Sequence, residues 1–187
     1  MHVIRPIRTG DLDQLLVLVG QALSGLTTLP PDAEVLSKRI KNSERSFARQ
    51  VERPGDEGYV FVLEDTQTQQ VIGICGVEAK TGGYLPFYAY QVQHEKHVCE
   101  QLSICKNIPI LCVSKEHNGP SEICSLFLSP QNRQKGSGRL LSLSRFVFMA
   151  DFRERFETQV IAEMRGCVDD DGNSPFWEAI AKHFIDM

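Results

Sequence analysis

The chain opens on an alternation of β-branched and polar or charged positions over residues 2–8, which predicts a strand. Thr9-Gly10-Asp11 reads as a turn with an N-cap, and apolar residues at helical spacing across 12–23 predict a first helix. Gly, Thr and a Pro pair mark 25–32 as a loop. A second helix is expected over 32–50, with Val35, Leu36, Ile40 and Phe47 on its inner side. Arg53-Pro54-Gly55-Asp56 interrupts the pattern. Two dense runs of β-branched and aromatic residues, 59–64 and 71–77, then flank the polar link 65–70, which predicts a hairpin.

The segment 81–106 has weak periodicity and mixed aromatics, and is read as an irregular insertion. A short strand over 108–113, a polar turn over 114–120 and a strong strand over 123–128 follow. Ser129-Pro130-Gln131-Asn132 forms a loop ahead of a long helix from about 138 to 156. Its residues Leu140, Leu141, Leu143, Phe146, Val147, Met149 and Ala150 offer a surface for packing on a sheet. A strand over 159–164 comes next, then an acidic turn over 169–173. Ser174 and Pro175 open a final helix as N-cap and first-turn proline. The order is β-α-α-β-β-(insertion)-β-α-β-α, within a single α/β domain over 1–187.

Composition narrows the function classes. The 187 residues are 42% hydrophobic and 24% charged, in the range of globular proteins, with a formal net charge of −4. That balance argues against a nucleic-acid-binding surface, and no apolar run reaches the ~18 residues of a membrane span. The start of the chain lacks a signal-peptide core, so a cytoplasmic location is expected. The six cysteines form no Cys-x-x-Cys pair and sit mostly beside aliphatic residues, which suggests buried, reduced thiols. His94 and His97, with Cys99 nearby, would share a helix face. They are expected to be solvated, and no metal site is expected.

Chemistry concentrates between the strong strand and the long helix, at Arg133-Gln134-Lys135-Gly136-Ser137-Gly138. A helix start offers unpaired N–H groups and the positive end of the dipole, which together bind phosphate oxygens. Glycines admit close approach of a ligand, and Arg133, Lys135 and Arg139 add positive charge. The spacing fits neither a Walker loop nor a three-glycine dinucleotide fingerprint. A plain Gly-rich turn remains the alternative.

Arg-x-x-Gly-x-Gly between a sheet strand and a helix resembles the acyl-CoA signature of the GNAT superfamily, whose element order is also similar. That resemblance implies a mixed, mostly antiparallel sheet flanked by helices, in which the strand before the loop splays from its neighbour. It places Leu126, Phe127 and Leu128 along the pantetheine arm, and the backbone of Gln134, Lys135, Gly136, Ser137, Gly138 and Arg139 around the pyrophosphate. Blocks across the chain resemble the bacterial arginine N-succinyltransferase family more closely. They include Gly25-Leu26-Thr27-Thr28-Leu29-Pro30, Gly58-Tyr59-Val60-Phe61-Val62-Leu63-Glu64-Asp65, Ser121-Glu122-Ile123-Cys124-Ser125-Leu126-Phe127-Leu128, Ala162-Glu163-Met164-Arg165-Gly166 and Ser174-Pro175-Phe176-Trp177-Glu178.

This family resemblance implies transfer of a succinyl group from succinyl-CoA to the α-amino group of L-arginine, at the entry to arginine catabolism, with ornithine as an acceptor in related enzymes. Residues 91–104 depart from the family pattern. Family members are about twice as long, and the histidine regarded as their proton donor lies in the second half. His183 does not correspond to it. The chain is therefore expected to be an N-terminal portion lacking the last two strands of the sheet. Its open edge invites pairing with a second copy or with the C-terminal half.

The implied reaction needs a base for the ammonium, donors for the oxyanion and an acid for the thiolate. Glu122, at the start of the strand before the loop, is the candidate base, or else a solvated strand-end carboxylate. Glu163 and Arg165 end the next strand. They suit the guanidinium and the succinyl or α-carboxylate of the substrates, or else a mutual salt bridge. Cys124 is a buried structural thiol on this reading, because direct transfer needs no covalent intermediate. Trp177 stands where many GNAT enzymes carry a tyrosine acid; it has no titratable proton and is assigned to packing.

Overall fold

The computed structural model describes residues 1–22, 26, 28–82, 86–114, 119–133, 136–169, 171, 173–179 and 181–183. Strand β1 (His2–Pro6) leads through a 3-10 turn into α1 (Leu12–Gly20) and then α2 (Ala33–Ala48). The Asp32 carboxylate caps α2 by accepting from the Glu34 and Val35 amides at 2.9 Å. Strands β2 (Gly58–Asp65) and β3 (Gln70–Glu78) form the expected hairpin. After a second hairpin, β4 (Ala89–Cys99) and β5 (Ile104–Ser114), come β6 (Ser121–Leu128), α3 (Ser137–Asp151), β7 (Val160–Ile161) and α4 (Pro175–Ala179).

The main sheet has the order β1-β2-β3-β6-β7, antiparallel throughout except that β7 runs parallel to β6. It is a mixed, mostly antiparallel sheet flanked by helices, as the resemblance implies. Helices cover both faces of β2 and β3, which is why their apolar runs are nearly continuous. Alternation sends Val60, Val62 and Ile74 toward Leu15, Leu18, Leu36 and Ile40 of α1 and α2. Tyr59, Phe61, Leu63, Cys75 and Val77 face Leu141 of α3, with Phe148 and Phe156 completing an aromatic cluster. Where β1 ends, α2 hydroxyls take over: Ser43 accepts from the Val60 amide at 2.9 Å and Ser46 from the Gly58 amide at 3.2 Å. An ideal Cβ at Gly73 would come within 2.9 Å of Leu141, so glycine is what lets α3 lie this close to β3.

Several expectations change. The irregular insertion over 81–106 is mostly an eleven-pair antiparallel ribbon, β4 with β5, that forms its own two-stranded sheet. Its turn passes through Ser103 in the left-handed region, φ 49°. The strand expected over 108–113 belongs to this ribbon and not to the main sheet. His94 and His97 are therefore three apart in a strand and lie on opposite faces, so they share no helix face. Among the described residues, no group of three His, Cys, Asp or Glu is arranged to hold a metal ion. All six cysteines are free; Cys75 and Cys124 are buried, but Cys99, Cys105 and Cys167 are exposed, the first two on the ribbon.

On α2, Leu36 and Ile40 are buried while Val35 is exposed, because the helix turns only one stripe inward. The same holds for α3, where Leu141 packs on the sheet and Leu140, Leu143, Phe146 and Val147 stay exposed. The last strand is shorter than expected, at Val160–Ile161. Leu23 and part of the 25–32 loop lie outside the described residues. No helix among the described residues is long and apolar enough to cross a membrane.

Candidate active site

The site starts at the root of β6. Ser121 is buried, its Oγ donating to the Ala79 carbonyl at 2.6 Å and accepting from the Glu157 amide at 2.9 Å, which ties β3, β6 and the approach to β7 together. β6 and β7 pair only at Ser121–Val160 and Glu122–Ile161. Beyond Glu122, β6 continues to Leu128 with no strand on its β7 side among the described residues. A cleft opens there. On the other side, Gly76 pairs with Cys124 and Ile74 with Phe127, so Ser125 and Leu126 together oppose Cys75. Ser125 takes φ 55°, the left-handed region, and the resulting bulge frees backbone groups at the cleft.

A cavity of about 680 Å³ fills the cleft, lined by Thr28, Glu122, Ser125, Leu126, Arg145, Glu163 and Arg165 among others. Glu122 sits across from Glu78 of β3 in register. Burial, then the Glu163 and Glu78 carboxylates, push Glu122 up to about 6, against the opposing pull of Arg39. Arg39 is ion-paired to Glu78 and reaches Cys124 Sγ at 3.8 Å. Burial pushes the Cys124 thiol up to about 11 and Cys75 up to about 12, so both are neutral near pH 7 and neither is an activated nucleophile.

A second cavity of about 390 Å³ adjoins the first, with Leu126 in both walls. Leu128, Arg133, Gly136, Gly138 and Arg139 complete its lining. Gly136 precedes α3 at φ 100°, a conformation that favours glycine, and as N-cap it has no side chain with which to cap the helix. A Cβ on Gly136 would meet nothing within 4 Å, and one on Gly138 only Leu128 at 3.9 Å. The start of α3 and the two arginines line one cavity, a combination suited to phosphate. The Ser137 side chain is buried, its Oγ 3.3 Å from His2 Nδ1, which leaves its backbone amide for such a role. Gln134 and Lys135 lie outside the described residues.

Candidate residues from three separate sequence blocks therefore meet at one cleft. Glu122, Leu126, Glu163 and Arg165 share the larger cavity, and Leu126, Leu128, Arg133, Gly136, Gly138 and Arg139 share the smaller. Glu163 and Arg165 form no salt bridge with each other. Thr28 and Ser125, which lie in family-like blocks but were assigned no role, and Arg145, which lies in none, line the same wall. The one sequence signal for Arg145 is a charge four residues after Leu141, on the stripe of α3 that faces the sheet.

The family model described as arginine N-succinyltransferase beta subunit matches residues 2–187. The chain belongs to the arginine N-succinyltransferase family. Among its relatives, the arginine N-succinyltransferase of Enterobacter sp. (strain 638) is 45% identical over all 187 residues, which span 54% of that protein. That of Salmonella newport (strain SL254) is 43% identical over the same share. The solved arginine/ornithine succinyltransferase subunit AI from Pseudomonas aeruginosa superposes with a TM-score of 0.90 at 36% identity, covering 100% of this chain and 57% of that one. This family member thus spans about half the length of the relatives it matches.

Proposed function

We propose that this chain is the acyl-CoA-binding portion of an arginine N-succinyltransferase, which moves a succinyl group from succinyl-CoA to the α-amino group of L-arginine. The observation that carries the proposal is the pair of adjoining cavities at the split between β6 and β7. One presents a phosphate-compatible helix start, and the other presents carboxylates and arginines.

In this proposal the amides of Gly136, Ser137, Gly138 and Arg139, with the Arg133 and Arg139 side chains, hold the pyrophosphate, together with Gln134 and Lys135. Leu126 and Leu128 lie along the pantetheine. Glu163 takes the guanidinium of the amino acid, and Arg165 takes a substrate carboxylate. Glu122, with its pKa at about 6, is ionised near pH 7 and accepts the proton of the substrate ammonium. The freed amine attacks the thioester carbonyl, backbone N–H groups at the Ser125 bulge steady the oxyanion, the attacking nitrogen loses its second proton to solvent, and the C–S bond breaks as the amide forms. The departing thiolate takes a proton from an acid that this chain does not supply. The resemblance assigns it to a histidine in the part of the relatives beyond this segment.

This chain is accordingly expected to bind both substrates but to release CoA thiol at near-background rates. Its partner is that further segment or a second chain. Six free cysteines suit a reducing compartment, and the proposed setting is arginine catabolism in the cytoplasm.

Calorimetric titration of amino acids into the CoA-saturated chain tests the acceptor assignment. L-Arginine is expected to bind, with citrulline, whose side chain is uncharged, and agmatine, which lacks the carboxylate, each at least about tenfold weaker. Arginine binding no tighter than that of either analogue contradicts the assignment. Because the Pseudomonas aeruginosa relative is named for arginine and ornithine, ornithine belongs in the same series.

A further inference from the structure

Arg145 lies on the sheet-facing stripe of α3 with only 4% of its surface exposed. Its Nε donates to the Ser142 carbonyl at 3.2 Å, its Nη2 to Ser142 Oγ at 3.0 Å and its Nη1 to the Cys124 carbonyl at 3.4 Å. Every one of these acceptors is neutral. No Asp or Glu among the described residues forms an ion pair with it, although Arg5, Arg39 and Arg49 all have such partners. Taking a guanidinium out of water without a counter-charge is costly, and neutral acceptors recover only part of that cost. Arg145 sits in the middle of α3, away from the negative end of the helix dipole.

The side chain lines the cavity that also holds Glu122, Glu163 and Arg165. Beside it in the same lining are Thr28 and Ser125; Ser125 Oγ donates to Cys124 Sγ at 3.5 Å and accepts from Thr28 Oγ1 at 2.9 Å, which fixes both hydroxyls in the wall. The cavity is therefore divided by charge. Glu122 and Glu163 repel an anion, whereas Arg145 attracts one from a place fixed by α3 and the β6 bulge.

We propose that Arg145 receives the distal carboxylate of the succinyl group and is the residue that selects a dicarboxylic acyl chain over a simple one. The assignment rests on the proposed function above and sharpens it. It leaves Arg165, exposed at the cavity rim, to the α-carboxylate of the amino acid. A shorter or uncharged acyl group would leave Arg145 without its counter-ion, so selectivity arises from a charge already paid for in folding.

Calorimetric titration of the 187-residue chain with CoA, butyryl-CoA and succinyl-CoA tests the assignment without turnover. Butyryl and succinyl chains have the same number of carbons and differ at the end group. The native chain is expected to bind succinyl-CoA about tenfold or more tighter than butyryl-CoA. Arg145→Gln is expected to erase that preference while leaving affinity for free CoA unchanged. Arg145→Lys should keep part of the preference, since it keeps the charge but loses the fork. The proposal is overturned if the native chain does not distinguish the two esters. It is equally overturned if Arg145→Gln weakens CoA, butyryl-CoA and succinyl-CoA alike, the result of a purely structural role, or if it weakens arginine binding and leaves the ester preference intact. Should Arg145→Gln lack a cooperative thermal transition, Arg145→Lys decides: a reduced preference supports the assignment and an unchanged one overturns it. Failure of free CoA to bind would overturn the cofactor assignment as well, whereas CoA binding without ester discrimination overturns this inference alone.

Discussion

Glu122 gathers the electrostatics of the cleft at one atom group. Its neighbours are Glu78 in register on β3, Glu163 beyond β7, Arg39 from α2 paired to Glu78, and Arg145 and Arg165 in the shared cavity. Carbon-13 NMR of side-chain carboxyls is expected to show a Glu122 midpoint near 6, lowered in Glu163→Gln and raised in Arg39→Met. A midpoint near the ordinary 4.5, unmoved by either change, would contradict this picture. The folded value lies above the unfolded one. The associated stability is therefore full below about pH 4.5 and is lost as pH rises through about 6, so Glu122→Gln should raise the melting temperature at pH 7. Glu122 and the Arg133–Arg139 loop were legible in the sequence because their residue types and position between strand and helix carry a meaning of their own. Arg145 was not, because one arginine in an apolar helix reads the same whether its stem snorkels to solvent or its head is buried. Only the packing of α3 against β6 tells them apart.

Among the elements, β2 and β3 were legible almost to the residue, since helices on both faces demand continuous apolar runs. The β4–β5 ribbon was hidden because its apolar pairs, Tyr90 with Val113 and Val92 with Leu111, are interleaved with Gln91 and Gln93 and then give way to His94, Glu95 and Lys96. A two-stranded ribbon without a third strand or a covering helix is marginal in water. Amide hydrogen exchange is accordingly expected to be orders of magnitude faster across β4–β5 than across β2–β3. Equal protection in the two hairpins would mean that something covers the ribbon. Helix α3 offers a second test, since its apolar residues divide into a buried stripe and an exposed one. Leu141→Ala is expected to cost about 2–5 kcal/mol in chemical denaturation, whereas Leu143→Ala should stay within about 1 kcal/mol. A cost at Leu143 as large as that at Leu141 would contradict the stripe assignment.

For the whole molecule, the order of the main-sheet strands and their helices followed from the hydrophobic pattern, but the parting of β6 from β7 did not. Residues 159–164 look like an ordinary strand, and only their divergence after Ile161 creates the cleft. Two cavities meeting at Leu126 give the sheet room for the long thioester proposed above, its phosphates assigned to the start of α3 and its acyl group to the gap between the strands. The chain spans about half of its relatives' length, so cofactor capture and acid catalysis are expected to be separable. Titration of free CoA into the native chain and into Gly138→Val measures capture directly. Gly138 has an ordinary φ and an open Cβ position, so valine there fills the cradle without backbone strain. The account predicts saturable one-to-one binding by the native chain, weakened about tenfold or more in a Gly138→Val variant that melts as cooperatively as the native chain. Absence of saturable binding by the native chain, or equal affinity in the two proteins, would contradict it.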